Sequence, residues 1–109
     1  MIQKINQIHN LDDLGNPAGG TSTSIGLVVH WQNGPIPRDS KGNPIIEENG
    51  CFVETVILAC IGRLDFYQSS RFACKANTDA LSNLHRALSI LQERTADRVK
   101  RGVEGKHEE

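Results

Sequence analysis

Aromatic side chains are scarce, at 5% of 109 residues: one Trp, one Tyr and three Phe. That excludes a core built on stacked rings and makes the position of each ring informative. Excess charge is also missing. A formal net charge of −1 excludes nucleic-acid binding through bulk positive potential. No apolar run approaches the ~20 residues needed to cross a bilayer, and Met1-Ile2-Gln3-Lys4 does not open like a signal peptide. Neither a membrane span nor a leader is expected. The three cysteines, Cys51, Cys60 and Cys74, form neither an even set nor a CxxC pair, so they read as free thiols in a reducing compartment. The plainer account of each is a small buried apolar residue. His9, His30, His85 and His107 lack zinc-ligand spacing, so no metal site is expected. GxGxxG, P-loop, GxSxG and HExxH motifs are all absent. Cys74 and His85 would sit about 16 Å apart along one helix, too far for a dyad. No catalytic residues and no cofactor are expected, and a binding protein is favoured over an enzyme.

What is present suffices for one compact domain over 1–109. Hydrophobic residues make up 38% and charged residues 23%, which argues against disorder along the whole length. Residues 1–24 are polar and broken by Gly15, Pro17, Gly19 and Gly20, and read as a flexible arm or irregular strand entry. A β-sheet region is expected over 25–48. Ile25–Trp31 is its strongest strand, with β-branched and aromatic character. A segment dense in turn residues follows, Gln32 to Pro44, with a second short strand over Pro44–Glu47. After Asn49-Gly50 the period changes. Val53, Val56, Ile57, Cys60, Ile61 and Leu64 form the stripe of a helix from about Cys51 to Gln68. Gly62 inside it suggests that another backbone approaches closely. Ser69-Ser70 is expected to end that helix and can cap a second one over about Arg71–Arg101, with Ala80, Leu81, Leu84, Ala87, Leu88 and Leu91 as its stripe. A short turn makes the helices of 51–101 an antiparallel hairpin, and 102–109 form a tail. The fold class is thus α+β, a small N-terminal antiparallel sheet followed by a two-helix hairpin. Surplus apolar surface points to a homo-oligomer.

The polar residues that interrupt the second stripe are the functional candidates. Beyond Leu91 the face meets Arg94, Thr95 and Arg98. Like charges one turn apart repel by a few tenths of a kcal/mol, and an anion held between two planar guanidinium forks relieves this. The simpler reading is a solvated face laced with Glu93, Asp97 and Arg101. Asn77 begins the same face, either as an amide satisfied near the helix start or as a ribose- or adenine-contacting group. Phe66-Tyr67 ends the first helix, either as a core plug or as a stacking platform for a base.

Several strings occur in a telling order from Gln32 to His107. They are Gln32-Asn33-Gly34-Pro35, Asn49-Gly50 opening a helix, Arg63-Leu64-x-x-Tyr67-Gln68, Phe72-Ala73-Cys74-x-x-Asn77, and Arg94-Thr95-x-x-Arg98-x-x-Arg101-Gly102-Val103-Glu104-Gly105-x-His107. This order resembles the phage Thoeris anti-defence family, whose C-terminal helical hairpin is shared with an anti-CBASS cyclic-nucleotide sponge. The resemblance implies a protein of the infected host's bacterial cytoplasm that performs no chemistry. It would bind a cyclic ADP-ribose isomer, glyco-cyclic ADP-ribose, made by a bacterial TIR enzyme, and keep it from its effector. It also implies dimers that pair into a hexamer, and uptake by some relatives of cyclic di- or trinucleotides at separate subunit interfaces. Carried over by position, the family's aromatic falls on Tyr67, where Phe is more usual. Its amide falls on Asn77 and its phosphate-contacting arginines on Arg94 and Arg98. Phe66, Arg71 and Arg101 are further candidates. The chain departs from the pattern at Ser69-Ser70-Arg71, in place of Gly-Pro, at Lys106, in place of Thr, and in the long insert Ile36–Glu48. Two other readings compete: a hydrolase of the same messenger, and a phage DNA-binding regulator using Arg94, Arg98, Lys100 and Arg101.

Overall fold

The computed structural model describes residues 1–34, 39–43 and 49–100. The fold is α+β: strands β1 (Asn6–Leu11), β2 (Pro17–Ser24) and β3 (Leu27–Trp31) precede helices α1 (Val53–Gln68) and α2 (Lys75–Lys100). The chain divides into two units, Met1–Phe52 with Arg98–Glu109, and Val53–Asp97.

The first unit is an antiparallel sheet in the order β1-β2-β3. Residues 1–24, read from sequence as an arm, supply two of its three strands. β2 is Pro-Ala-Gly-Gly-Thr-Ser-Thr-Ser and carries no large apolar side chain, so the period-two signal of a strand is missing there. Pairing on both edges holds it instead: Ser22 faces Gln7 on one side and Val29 on the other. These residues share one sheet face, where the Trp31 indole N–H donates to Ser22 Oγ (2.8 Å) and that hydroxyl donates to Gln7 Oε1 (2.8 Å). Ser22 is buried for this reason, at 3% exposure. Gly20 has φ +132°, and a Cβ there would collide with the Ile8 carbonyl oxygen.

The turn joining β1 to β2 is Asp12-Asp13-Leu14-Gly15-Asn16. The Asp12 carboxylate accepts from the N–H groups of Leu14 and Asn16 (both 2.9 Å), and Gly15 has φ 82°. The same chemistry recurs at Asp39-Ser40-Lys41-Gly42-Asn43, where Asp39 accepts from Lys41 and Asn43 (both 2.9 Å) and Gly42 has φ 84°. Both are followed by Pro, so the chain carries one Asp-x-x-Gly-Asn-Pro string twice. The short strand expected over Pro44–Glu47 lies outside the described residues.

In the second unit the helical stripes fall largely where periodicity places them. Ala80, Leu81, Leu84, Ala87, Leu88 and Leu91 are all at least half-shielded. On α1 the shielded positions are Val56, Ile57, Ile61 and Leu64, while Val53 and Cys60 face solvent. Outside its own helix, no described residue comes within 4 Å of a Cβ built on Gly62, so the close backbone expected there is not supplied by the described residues. Ser69 and Ser70 end α1 as expected, donating their hydroxyls to the carbonyls of Phe66 (2.8 Å) and Tyr67 (2.6 Å). They do not cap α2: the N–H that Ser70 Oγ accepts is that of Phe72 (3.1 Å), in the connection. α2 therefore starts at Lys75 rather than near Arg71.

The core is thin. Among the described residues the buried apolar side chains are Val29, Ile61 and Leu88, while Ile8, Val28, Leu58, Phe66 and Phe72 stay exposed. No helix among the described residues is long and apolar enough to cross a membrane.

Candidate functional site

Two motifs far apart in the chain meet at the end of β3. The Asn33 N–H donates to Asn49 Oδ1 (2.7 Å), and the Asn49 N–H donates to Gln32 Oε1 (3.0 Å). The neighbouring Cys51 pairs with β3: its N–H donates to the His30 carbonyl (2.7 Å), and its carbonyl accepts from the Gln32 N–H (2.9 Å). Gly50 is required by this approach, since a Cβ there would sit 2.5 Å from the Trp31 carbonyl carbon. The Gln-Asn-Gly and Asn-Gly strings are thus a brace for β3.

The end of α1 carries the aromatic candidates. Phe66 is exposed and Tyr67 half-buried, with ring centroids 6.1 Å apart and planes inclined by 48°. The Arg63 guanidinium lies 5.1 Å from the Phe66 ring centre and 5.0 Å from that of Tyr67. Its Nε–H donates to the Tyr67 hydroxyl oxygen (3.3 Å). Cations at this range are attracted by the electron-rich ring face, so Arg63 fixes both rings. In the connection, Arg71 lies 4.8 Å from the centre of the Phe72 ring. Arg63 opens the string Arg63-Leu64-x-x-Tyr67-Gln68, but the sequence alone assigns it no role. Its signal is the spacing Arg63-x-x-Phe66-Tyr67, which puts the cation one turn before both rings.

Asn77 sits in the first turn of α2. Its amide nitrogen donates to Gln68 Oε1 (3.0 Å) and to the Phe72 carbonyl (3.3 Å). Gln68 in turn binds both backbone groups of Cys74, accepting from the N–H (3.0 Å) and donating to the carbonyl (3.1 Å). This one amide ties the end of α1 to the start of α2. Because it spans six residues of irregular chain, no periodic pattern announces it.

Arg94 and Arg98 lie at the other end of α2, one turn apart. Arg94 is exposed and Arg98 half-buried, with Thr95 half-buried beside it. The shielded face thus continues through Thr95 and Arg98 and leaves Arg94 at its margin. At about 1.5 Å rise per residue, Arg94 is about 25 Å along the axis from Asn77. The aromatic and amide candidates are therefore close together in the connection, and the arginine pair is not brought to them on α2. Arg101 lies outside the described residues. No group of His, Cys, Asp and Glu able to hold a metal occurs among the described residues.

No protein-family model matches the chain. Over 81 residues it is 40% identical to the protein Thoeris anti-defense 1 of Bacillus phage SBSphiJ7, an alignment covering 74% of this chain and 52% of that protein. The chain spans about half the length of the curated relative it matches.

Proposed function

Since the aligned 81 residues place this chain in the Thoeris anti-defence family, we propose that it is a phage protein that captures a cyclic nucleotide immune signal. The signal is the cyclic ADP-ribose isomer made by bacterial TIR enzymes. The protein holds that messenger in the host cytoplasm, away from its effector, and does no chemistry on it.

One observation carries the reading: Arg94 and Arg98 stand one turn apart on α2, in a chain related to an anti-Thoeris protein. Two guanidinium forks at that spacing suit the two phosphates of a pyrophosphate, each fork pairing in a bidentate way. A base stacks on Tyr67, and Asn77 meets the polar edge of the adenosine half. One small nucleotide cannot span the ~25 Å between Asn77 and Arg94. A second copy of the chain therefore supplies one end of each pocket, in a dimer or a hexamer. The thin core and the exposed Ile8, Val28, Leu58 and Phe66 support self-association.

Sequestration acts by mass action, so slow release matters more than fast capture. Calorimetry with glyco-cyclic ADP-ribose should show tight uptake, and heating the loaded protein should return the ligand intact. Arg94→Ala or Arg98→Ala should each weaken uptake by about thirtyfold or more, the loss expected for one arm of a desolvated charge pair. Cyclic di- and trinucleotides are the second ligand class to run beside it. Recovery of a linear product would instead establish catalysis, and no uptake of any of these ligands would overturn the reading.

A further inference from the structure

We infer that Gln68 is a positioning residue that presets the Asn77 amide, so that the α1–α2 connection offers its ligand a hydrogen-bond acceptor and selects a group that donates. The inference rests on the reading of Asn77 as a ligand contact.

The polarity follows from backbone groups whose chemistry is fixed. The Cys74 N–H needs an acceptor, which Gln68 Oε1 supplies at 3.0 Å, and Gln68 Nε2 donates at 3.1 Å to the Cys74 carbonyl, an oxygen that also accepts from the N–H (3.3 Å) and hydroxyl (3.4 Å) of Thr78. Gln68 Nε2 also donates to Thr78 Oγ1 (2.9 Å). Gln68 therefore sits in one orientation, with Oε1 toward Asn77. Asn77 then has no choice either. Its Nδ2 faces two acceptors, Gln68 Oε1 (3.0 Å) and the Phe72 carbonyl (3.3 Å). Reversing the amide would set Oδ1 against two oxygens. Both hydrogens of Nδ2 are committed, and Oδ1 receives no hydrogen bond from the described residues.

A neutral amide can donate or accept; here only acceptance is left. The groups it can take are an N–H or O–H, which on an adenine nucleotide means the exocyclic amine or a ribose hydroxyl. A carbonyl in the same place would meet Oδ1 oxygen to oxygen and lose its hydration with nothing in return. Gln68 precedes no ligand in this scheme; it acts only through Asn77.

The test uses the full-length protein and three probes: glyco-cyclic ADP-ribose, its hypoxanthine counterpart, in which the amine becomes a carbonyl, and its counterpart lacking the ribose hydroxyls. Wild type should bind at least one altered probe about tenfold more weakly than the parent, the loss expected for one unmatched polar contact. Gln68→Leu should bring that ratio below about threefold, since the longer bond to the Phe72 carbonyl (3.3 Å) is then all that holds the Asn77 amide among the described residues. Gln68→Glu keeps an oxygen toward Asn77 and the Cys74 N–H, and should keep the ratio even if thermal stability falls. Should Gln68→Leu not fold, Gln68→Glu still decides: a folded Glu variant without discrimination overturns the proposal. Equal binding of all three probes by wild type overturns it too, while leaving the capture reading intact. Failure of wild type to bind the parent compound removes that reading, and this inference with it.

Discussion

In the sheet unit the backbone does most of the holding. β2 is paired on both sides, its side chains are small, and what lies on its inner face is a relay of hydrogen bonds from Trp31 through Ser22 to Gln7. In the helical unit the backbone bonds are local to each helix, and order beyond them rests on an apolar stripe and on one amide, Gln68. The sheet is therefore intolerant of added atoms along its middle strand. The helices tolerate them wherever no neighbour stands.

Gly20→Ala is the strongest way to test that contrast. It combines a strained φ with a collision against the Ile8 carbonyl, and should cost about 3 kcal/mol or more. Urea unfolding followed by the fluorescence of the single Trp, which lies in this unit, is the measurement. Ser22→Ala should cost about 1–3 kcal/mol by the same reading, because it leaves the Trp31 N–H with no acceptor in a buried place. Gly62→Ala has the opposite sign. With open space around the new methyl group, it should stabilise α1 by about 1 kcal/mol, seen as a higher midpoint in thermal unfolding by far-ultraviolet circular dichroism. A lower midpoint would mean that another chain's backbone lies against Gly62 in the assembly. Arg63→Met should have the smallest effect, about 0.5–1 kcal/mol, the worth of an exposed cation over a ring.

The two units also differ in how much their sequences disclose. The helical stripes could be read because Leu81, Leu84, Leu88 and Leu91 recur at helical spacing, and a shielded face must repeat with that period. β1 and β2 could not: β1 is mostly polar, Asn-Gln-Ile-His-Asn-Leu, β2 runs through Gly, Thr and Ser without contrast, and their pairing partners elsewhere in the chain define both strands. Arg94 and Arg98 stood out as charges that end an apolar stripe. Gln68 did not, because its partners lie beyond the helix end at Cys74, Asn77 and Thr78, where no spacing rule applies. The capping role expected of Ser69-Ser70 does not reach α2: both hydroxyls donate to the free carbonyls of α1, and the N–H that Ser70 Oγ accepts belongs to Phe72, before α2 begins.

The twin Asp-x-x-Gly-Asn clasps offer a practical handle. The protein touches their two central positions through main-chain atoms alone, and Leu14 is 87% exposed. Fluorophores or surface tethers attached at Leu14 or Lys41 would leave each loop closed by its aspartate. The molecule could thus be tracked or immobilised with its helices untouched, and exchanging the inner dipeptides of the two loops should be silent.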